Sequence, residues 1–216
     1  MIKRLIHEIR DLVHDEQHTG YDDIDILVVI NAGIRFIVRT ILSNKPELLM
    51  AKPIEGTLAA GQNIICLDQK MLSILDVRVK DHSLIPASPT SIRNLNRQSD
   101  YPYAYCLCGF KTIMIYPKPK TDMEYIIFYV QEIEEIKPHY EDKSKYELPF
   151  PNIFYDALLE YALIRLQMTN EFDMSQEMTV MQAVAAQVED IIKKYPAPRH
   201  HINSYYCNHH GVRGYN

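Results

Sequence analysis

Five side chains near the C-terminal end of this 216-residue chain are the ones best suited to hold a metal: His200, His201, Cys207, His209 and His210. Zinc takes four such ligands in a tetrahedron. The spacing here matches no finger type, neighbouring histidines in an extended chain point to opposite sides, and the segment carries no upstream pair of cysteines. The residues therefore read as a polar, partly cationic contact segment, with no metal centre expected. Cys106-Leu107-Cys108 puts two thiols on one side of a strand-like run, and without a second half-site they read as small apolar groups packed in a core. Two carboxylate clusters, Asp22-Asp23-Asp25 and Glu132-Glu134-Glu135, have the residue types for acid–base or two-metal chemistry. The aspartates stand where a helix begins, so capping and the helix dipole explain them. The glutamates follow a strand and read as its solvated end. Among only seven glycines there is no phosphate-cradling loop; there is also no Gly-x-Ser-x-Gly elbow, and no cysteine has an obvious histidine partner. The expectation is a protein that is not an enzyme and uses no cofactor.

The same C-terminal segment is unusual in charge. After Asp190 there is no acidic residue, while residues 196–216 hold Arg199, His200, His201, His209, His210 and Arg213 beside Tyr205, Tyr206 and Tyr215. Pro196, Pro198, Gly211 and Gly214 break any regular period, so the segment is expected to be an extended tail ordered by something it binds. The chain's net charge is −5; with +2 in the tail from Arg199 and Arg213, residues 1–195 carry −7. That acidic body, with no basic run longer than Lys3-Arg4 or Lys193-Lys194, is a poor grip for DNA phosphates. Four cysteines without a secretory leader point to a reducing compartment. No stretch approaches the roughly 18 consecutive apolar residues of a membrane span, and a soluble protein is expected. A chain of this length buries roughly 70 % of its unfolded surface, enough for one sizeable core or two small ones.

These residues need elements to place them. Ile2, Leu5, Ile6, Ile9, Leu12 and Val13 recur at helical spacing, with Lys3, Arg4, Glu8 and Arg10 assigned to the opposite, solvent side. Asp22 or Asp23 caps a second helix with Ile26, Leu27, Ile30, Ile34, Ile37, Val38 and Ile41 on its stripe, stopped at Ser43-Asn44-Lys45-Pro46. From about residue 54 to 137 the period changes to two. There, Lys111–Tyr116 and Tyr125–Val130 are expected to pair as a hairpin across Pro117–Met123. Ser88-Pro89 opens a short helix to Arg97. After Pro149 and Pro151 comes a helix through Phe154, Ala157, Leu158, Tyr161, Ala162 and Leu166. Another follows, capped by Asp173 or Ser175, with Met178, Met181, Ala185, Val188 and Ile192 buried. The fold class expected is mainly α: a four-helix bundle with a β-strand-rich insertion between the second and third long helices, and an extended C-terminal tail. Residues 1–50 and 149–195 form the bundle, 51–148 the insertion and 196–216 the tail.

The order and spacing of several stretches resemble the head-to-tail adaptor (connector) proteins of tailed bacteriophages. They are Tyr21-Asp22-Asp23, Ile30-Asn31-Ala32-Gly33-Ile34-Arg35, Gly56-Thr57-Leu58-Ala59-Ala60-Gly61-Gln62, Ile113–Pro119, Tyr125–Gln131 and Leu148-Pro149 before Tyr155–Ala162. The resemblance covers most of the chain, which departs from the pattern in having no Trp. It implies a structural virion protein at the head–tail interface, assembled in the host cytoplasm. Such a protein forms a homo-oligomeric ring, generally of twelve copies, below the portal protein and above a downstream tail component, a nozzle or hub. DNA passes through the ring without specific binding, and no membrane is involved. The C-terminal segments of such proteins dock on the portal, which assigns that role here to Arg199, His200, His201, Tyr205, Tyr206, His209, His210, Arg213 and Tyr215. An acidic lumen would let DNA slide. The alternative left by the residues is a small metal- or nucleic-acid-binding regulator using the His/Cys tail. Stoichiometric zinc lost on changing Cys207 or His209 would mark it. A nuclease built on Asp22 or Glu132 would need a divalent metal for turnover.

Overall fold

Apolar residues at helical spacing become α1 (Ile2–Leu12) and α2 (Asp23–Asn44) in the computed structural model, which describes residues 2–15, 20–94, 101–137, 147–168 and 174–195. The remaining helices are α3 (Pro89–Asn94), α4 (Tyr155–Met168) and α5 (Met174–Lys194). The strands are β1 (Ile54–Leu58), β2 (Ile64–Cys66), β3 (Met71–Val79), β4 (His82–Ser83), β5 (Ile85–Pro86), β6 (Ala104–Leu107), β7 (Thr112–Tyr116) and β8 (Met123–Gln131). The class is α+β, with about 45 % helix and 25 % strand among the described residues. That corrects the expected mainly-α four-helix bundle with an insertion. The region of period two folds into two sheets of four strands around a core of its own.

Asp22 caps α2 as its residue type predicts. Its carboxylate accepts from Asp25 N at 2.7 Å, and the Asp25 carboxylate accepts from Asp22 N at 3.3 Å, a reciprocal capping box. Lys45 and Pro46 end the helix, since proline offers no N–H to continue it. α2 is long and apolar enough by length and composition to cross a membrane, but it is the central helix of a core in which Ile26, Leu27, Ile30, Ile37 and Ile41 are buried. α4 packs on it where Gly33 has no side chain. A Cβ at that position would sit 2.6 Å from Leu158 Cδ1 and 2.9 Å from Tyr161 Cδ1. α5 closes the layer with Val184, Val188 and Ile192; Met178, expected on this buried stripe, is 67 % exposed. It lies in the first turns of α5, before the helix reaches the core. The proposed caps of α5 and the far end of the short helix after Ser88 fall at or beyond the edge of the described residues; Ser88 Oγ does accept from Ser91 N, at 3.1 Å.

The sheets run in the orders β1-β8-β3-β4 and β2-β7-β6-β5, antiparallel except for the β5–β6 pair. Val77, Ile127, Tyr129 and Met123 of the first face Ile65, Ile113, Ile115 and Tyr105 of the second. The expected hairpin of β7 with β8 is therefore wrong. The two strands lie in different sheets, and the connection between them crosses the sandwich beside the one joining β1 to β2. Gly61 N donates to Pro119 O at 2.8 Å and Ala60 N to Asp122 Oδ1 at 2.8 Å. β7 pairs with β2 and β6, and β8 with β1 and β3, so the main-chain groups that a hairpin would have joined are taken up within the two sheets. Gly61 takes φ +79°, which favours glycine. β8 then leads out of the sheet into the helical layer, where Val130 and Ile136 join the core of α2, α4 and α5.

Candidate docking site at the exit of the C-terminal segment

The described chain ends at Tyr195, immediately after α5, and the position of that exit is fixed by one lysine. Lys45, at the C-terminal cap of α2, reaches across to the last turn of α5. Its Nζ donates to Ile192 O at 3.1 Å and to Tyr195 O. The final carbonyls of a helix have no partner within it and sit at the negative end of its dipole, so an ammonium group is the favoured partner. Lys193 and Lys194 add positive charge to the same turn. The consequence is geometric: whatever follows Tyr195 starts from a point tied to the junction between α2 and the strands. Lys45 was legible only as part of a helix stop signal. Arg199, His200, His201, Tyr205, Tyr206, His209, His210, Arg213 and Tyr215 all lie outside the described residues.

The carboxylate clusters are occupied structurally. Asp23 accepts from Arg10 Nη2 at 2.8 Å, while Arg10 Nη1 donates to Asp15 Oδ2 at 2.9 Å and to Tyr21 O at 2.9 Å. Asp15 also accepts from Gly20 N and Tyr21 N, so one buried guanidinium and one buried carboxylate tie α1 to the start of α2. Arg10, assigned to the solvent face of α1, is instead 2 % exposed. The signal available in the sequence was Arg10 standing four residues after the apolar Ile6, with Asp15 five residues on. Glu132 pairs with Lys70 at 3.1 Å and Glu135 with Arg35, whereas Glu134 faces solvent. Asn31 on α2 donates to Ile136 O at 2.9 Å and accepts from Ile136 N at 3.0 Å, fastening the segment after β8 along the helix. Beside it opens a groove of about 260 Å³ lined by Ile34, Leu49, Val130 and Ile133 and rimmed by Glu132, Glu134 and Glu147.

On α1, Glu8 accepts from the Tyr155 hydroxyl at 2.7 Å. Burial, and then the Glu8 carboxylate, push the Tyr155 phenol up to about 12. Burial and the Asp76 charge also raise Tyr105. Cys106 is buried as expected for a packed thiol, but Cys108 is exposed, with the two sulfurs 3.8 Å apart. Among the described residues no group of three or more His, Cys, Asp or Glu side chains converges as a metal site.

Caps, ion pairs and main-chain ties engage the carboxylates of both clusters except Glu134. The family model for the SU10 adaptor protein matches residues 2–204, nearly the whole chain, and the chain belongs to that family of phage head–tail adaptors. It is thus a structural adaptor of a phage virion. No curated protein matches it.

Proposed function

We propose that this adaptor assembles as a ring, generally of twelve copies, below the portal protein and joins the capsid vertex to the tail, acting without catalysis. In this reading the helical part, residues 1–50 and 149–195, builds the ring; residues 51–148 reach towards the downstream tail component; and residues 196–216 dock on the portal. DNA passes through the ring. The observation that carries the reading is the family match over residues 2–204. Its support for the docking role is the tie from Lys45 to the end of α5, which gives the C-terminal segment a fixed origin. Tyrosines supply large contact area with few torsions to order, Arg199 and Arg213 supply charge for acidic partner groups, and repetition around a ring multiplies a weak contact through effective concentration. The net charge of −7 on residues 1–195 suits a lumen along which DNA slides.

The test is to mix the purified chain with the portal ring encoded in the same genome and measure the native mass of the complex, for the full-length chain and for one ending at Tyr195. About twelve copies bound by the full chain alone would support both the ring and the docking tail. Equal binding by both chains would keep the adaptor and remove the tail from docking. No binding by either would refute the portal as partner and return the tail to the regulator reading.

A further inference from the structure

The hairpin of β6 and β7 brings two thiols together in unequal surroundings. Cys106 is 1 % exposed on a strand against which α3 lies, and Cys108 is exposed just past the strand end. Their Sγ atoms are 3.8 Å apart. A disulfide forms at roughly 2.05 Å between residues whose Cα atoms are about 4.4–6.8 Å apart; two residues separated by one in an extended strand lie about 6.6 Å apart, at the far end of that reach, and closure draws their Cβ atoms in to about 3.5–4.5 Å. The backbone can yield where it must. Cys108 N donates to Thr112 O at 2.9 Å as the last rung of the hairpin, and the next residue, Gly109, has φ +91° with open space where a Cβ would stand. Cys66 is no competitor: it pairs with Thr112 from the other side of β7, so it stands two strand spacings from Cys108, about 9.5 Å, beyond the span of a disulfide.

We propose that Cys106 and Cys108 form a reversible dithiol–disulfide pair, with Cys108 as the attacking thiol, Cys106 as the resolving thiol and a small-molecule disulfide such as oxidised glutathione as the oxidant. The Cys108 thiolate attacks one sulfur of the oxidant, forming a mixed disulfide and expelling one thiolate, which takes up a proton. Cys106 then gives up its proton and attacks the Cys108 sulfur. The mixed bond breaks, the second thiolate leaves, and one protein disulfide replaces two protein thiols while the oxidant is reduced to two thiols. Burial and the neighbouring Cys108 hold the Cys106 thiol up at about 11, so in the resting protein Cys106 stays protonated and the exposed sulfur reacts first. Once Cys108 is capped, its hydrogen bond and charge no longer oppose ionisation of Cys106, and burial alone holds that thiol up. The ring closed is too short to add much stability through the unfolded state. Its effect is local, fixing the turn that carries Phe110, which is 76 % exposed. On the function proposed above, the pair would be reduced during assembly and oxidised in the released particle; that setting rests on that reading, whereas the chemistry does not.

Trypsin releases both thiols in the single peptide Gln98–Lys111, which contains no other cysteine. The full chain is incubated with oxidised glutathione, blocked with N-ethylmaleimide, digested and weighed, in parallel with Cys106→Ala. The expected result is a wild-type peptide that has lost two hydrogens and takes no maleimide until dithiothreitol is added, and a C106A peptide that retains a glutathionyl group on Cys108. A wild-type peptide that keeps the glutathionyl group as C106A does, takes two maleimides, or is linked to Cys66 or to a second copy would overturn the proposal. Should C106A not fold, the wild-type peptide decides alone. Ring assembly on the portal enters none of these readouts.

Discussion

Replacing Arg10 by Met tests whether the buried ion cluster holds the α1–α2 corner. The substitution keeps the length of the side chain along the apolar face of α1 and removes three bonds of 2.8–2.9 Å to Asp15, Tyr21 O and Asp23. The loss does not fall equally on the three. Asp23 is half exposed and returns to water at little cost, but Asp15 is buried, accepts from the Gly20 and Tyr21 amides, and loses the guanidinium that balances its charge. Stranding one member of a buried pair costs about 3–5 kcal/mol. For a chain of this size each kcal/mol lowers the midpoint by roughly 2–4 °C, so thermal unfolding followed by circular dichroism should show a fall of about 6–20 °C. Asp15→Asn in the Arg10→Met background should recover part of this, with a coupling of about 2 kcal/mol in the four-variant cycle. Raising salt tenfold should leave the difference nearly unchanged, because buried pairs are poorly screened. A loss under about 1 kcal/mol, the range of exposed pairs, or one that vanishes in salt would refute the reasoning.

Gly33→Ala should destabilise by about 1 kcal/mol in urea titration: the gain of roughly 1 kcal/mol in helix propensity is outweighed by overpacking of about 1–3 kcal/mol. The Tyr161 ring that the new methyl meets is itself packed on Phe36, 5.4 Å between centroids, and cannot withdraw freely. Tyr155 carries a pH dependence. Its folded pKa, about 12, lies above the ordinary value of 10.0, so between these pH values the unfolded chain loses the proton first and stability falls as pH rises. Discounted for solvent screening this is on the order of 1 kcal/mol. Tyr155→Phe should make that slope shallower, Tyr105 and Tyr125 keeping their own part of it; an identical alkaline slope in both proteins would show that Tyr155 contributes none.

The features legible in the residues alone were local. Helical spacing placed α1, α2, α4 and α5, the three aspartates announced the start of α2, and Pro46, Pro149 and Pro151 bounded helices, because caps, prolines and a period of three to four act within a few residues of chain. The same local logic carried the order of motifs from which the adaptor family was recognised. Which strands meet was settled by packing between distant segments. A hairpin between β7 and β8 and a crossing between two sheets have the same alternating pattern, and the choice fell to the bonds that Pro119 and Asp122 make with the β1–β2 connection 58 or more residues away. The same packing also decided the fates of single polar groups. Arg10 lies in the interior because Asp15 and Asp23 converge on it, Lys45 caps a helix that begins far along the chain, and Cys106 and Cys108 differ in exposure, since one stands within β6, against which α3 packs, and the other beyond the end of that strand. Such pairings depend on where distant segments come to rest, a consequence of packing that no residue's own neighbours encode.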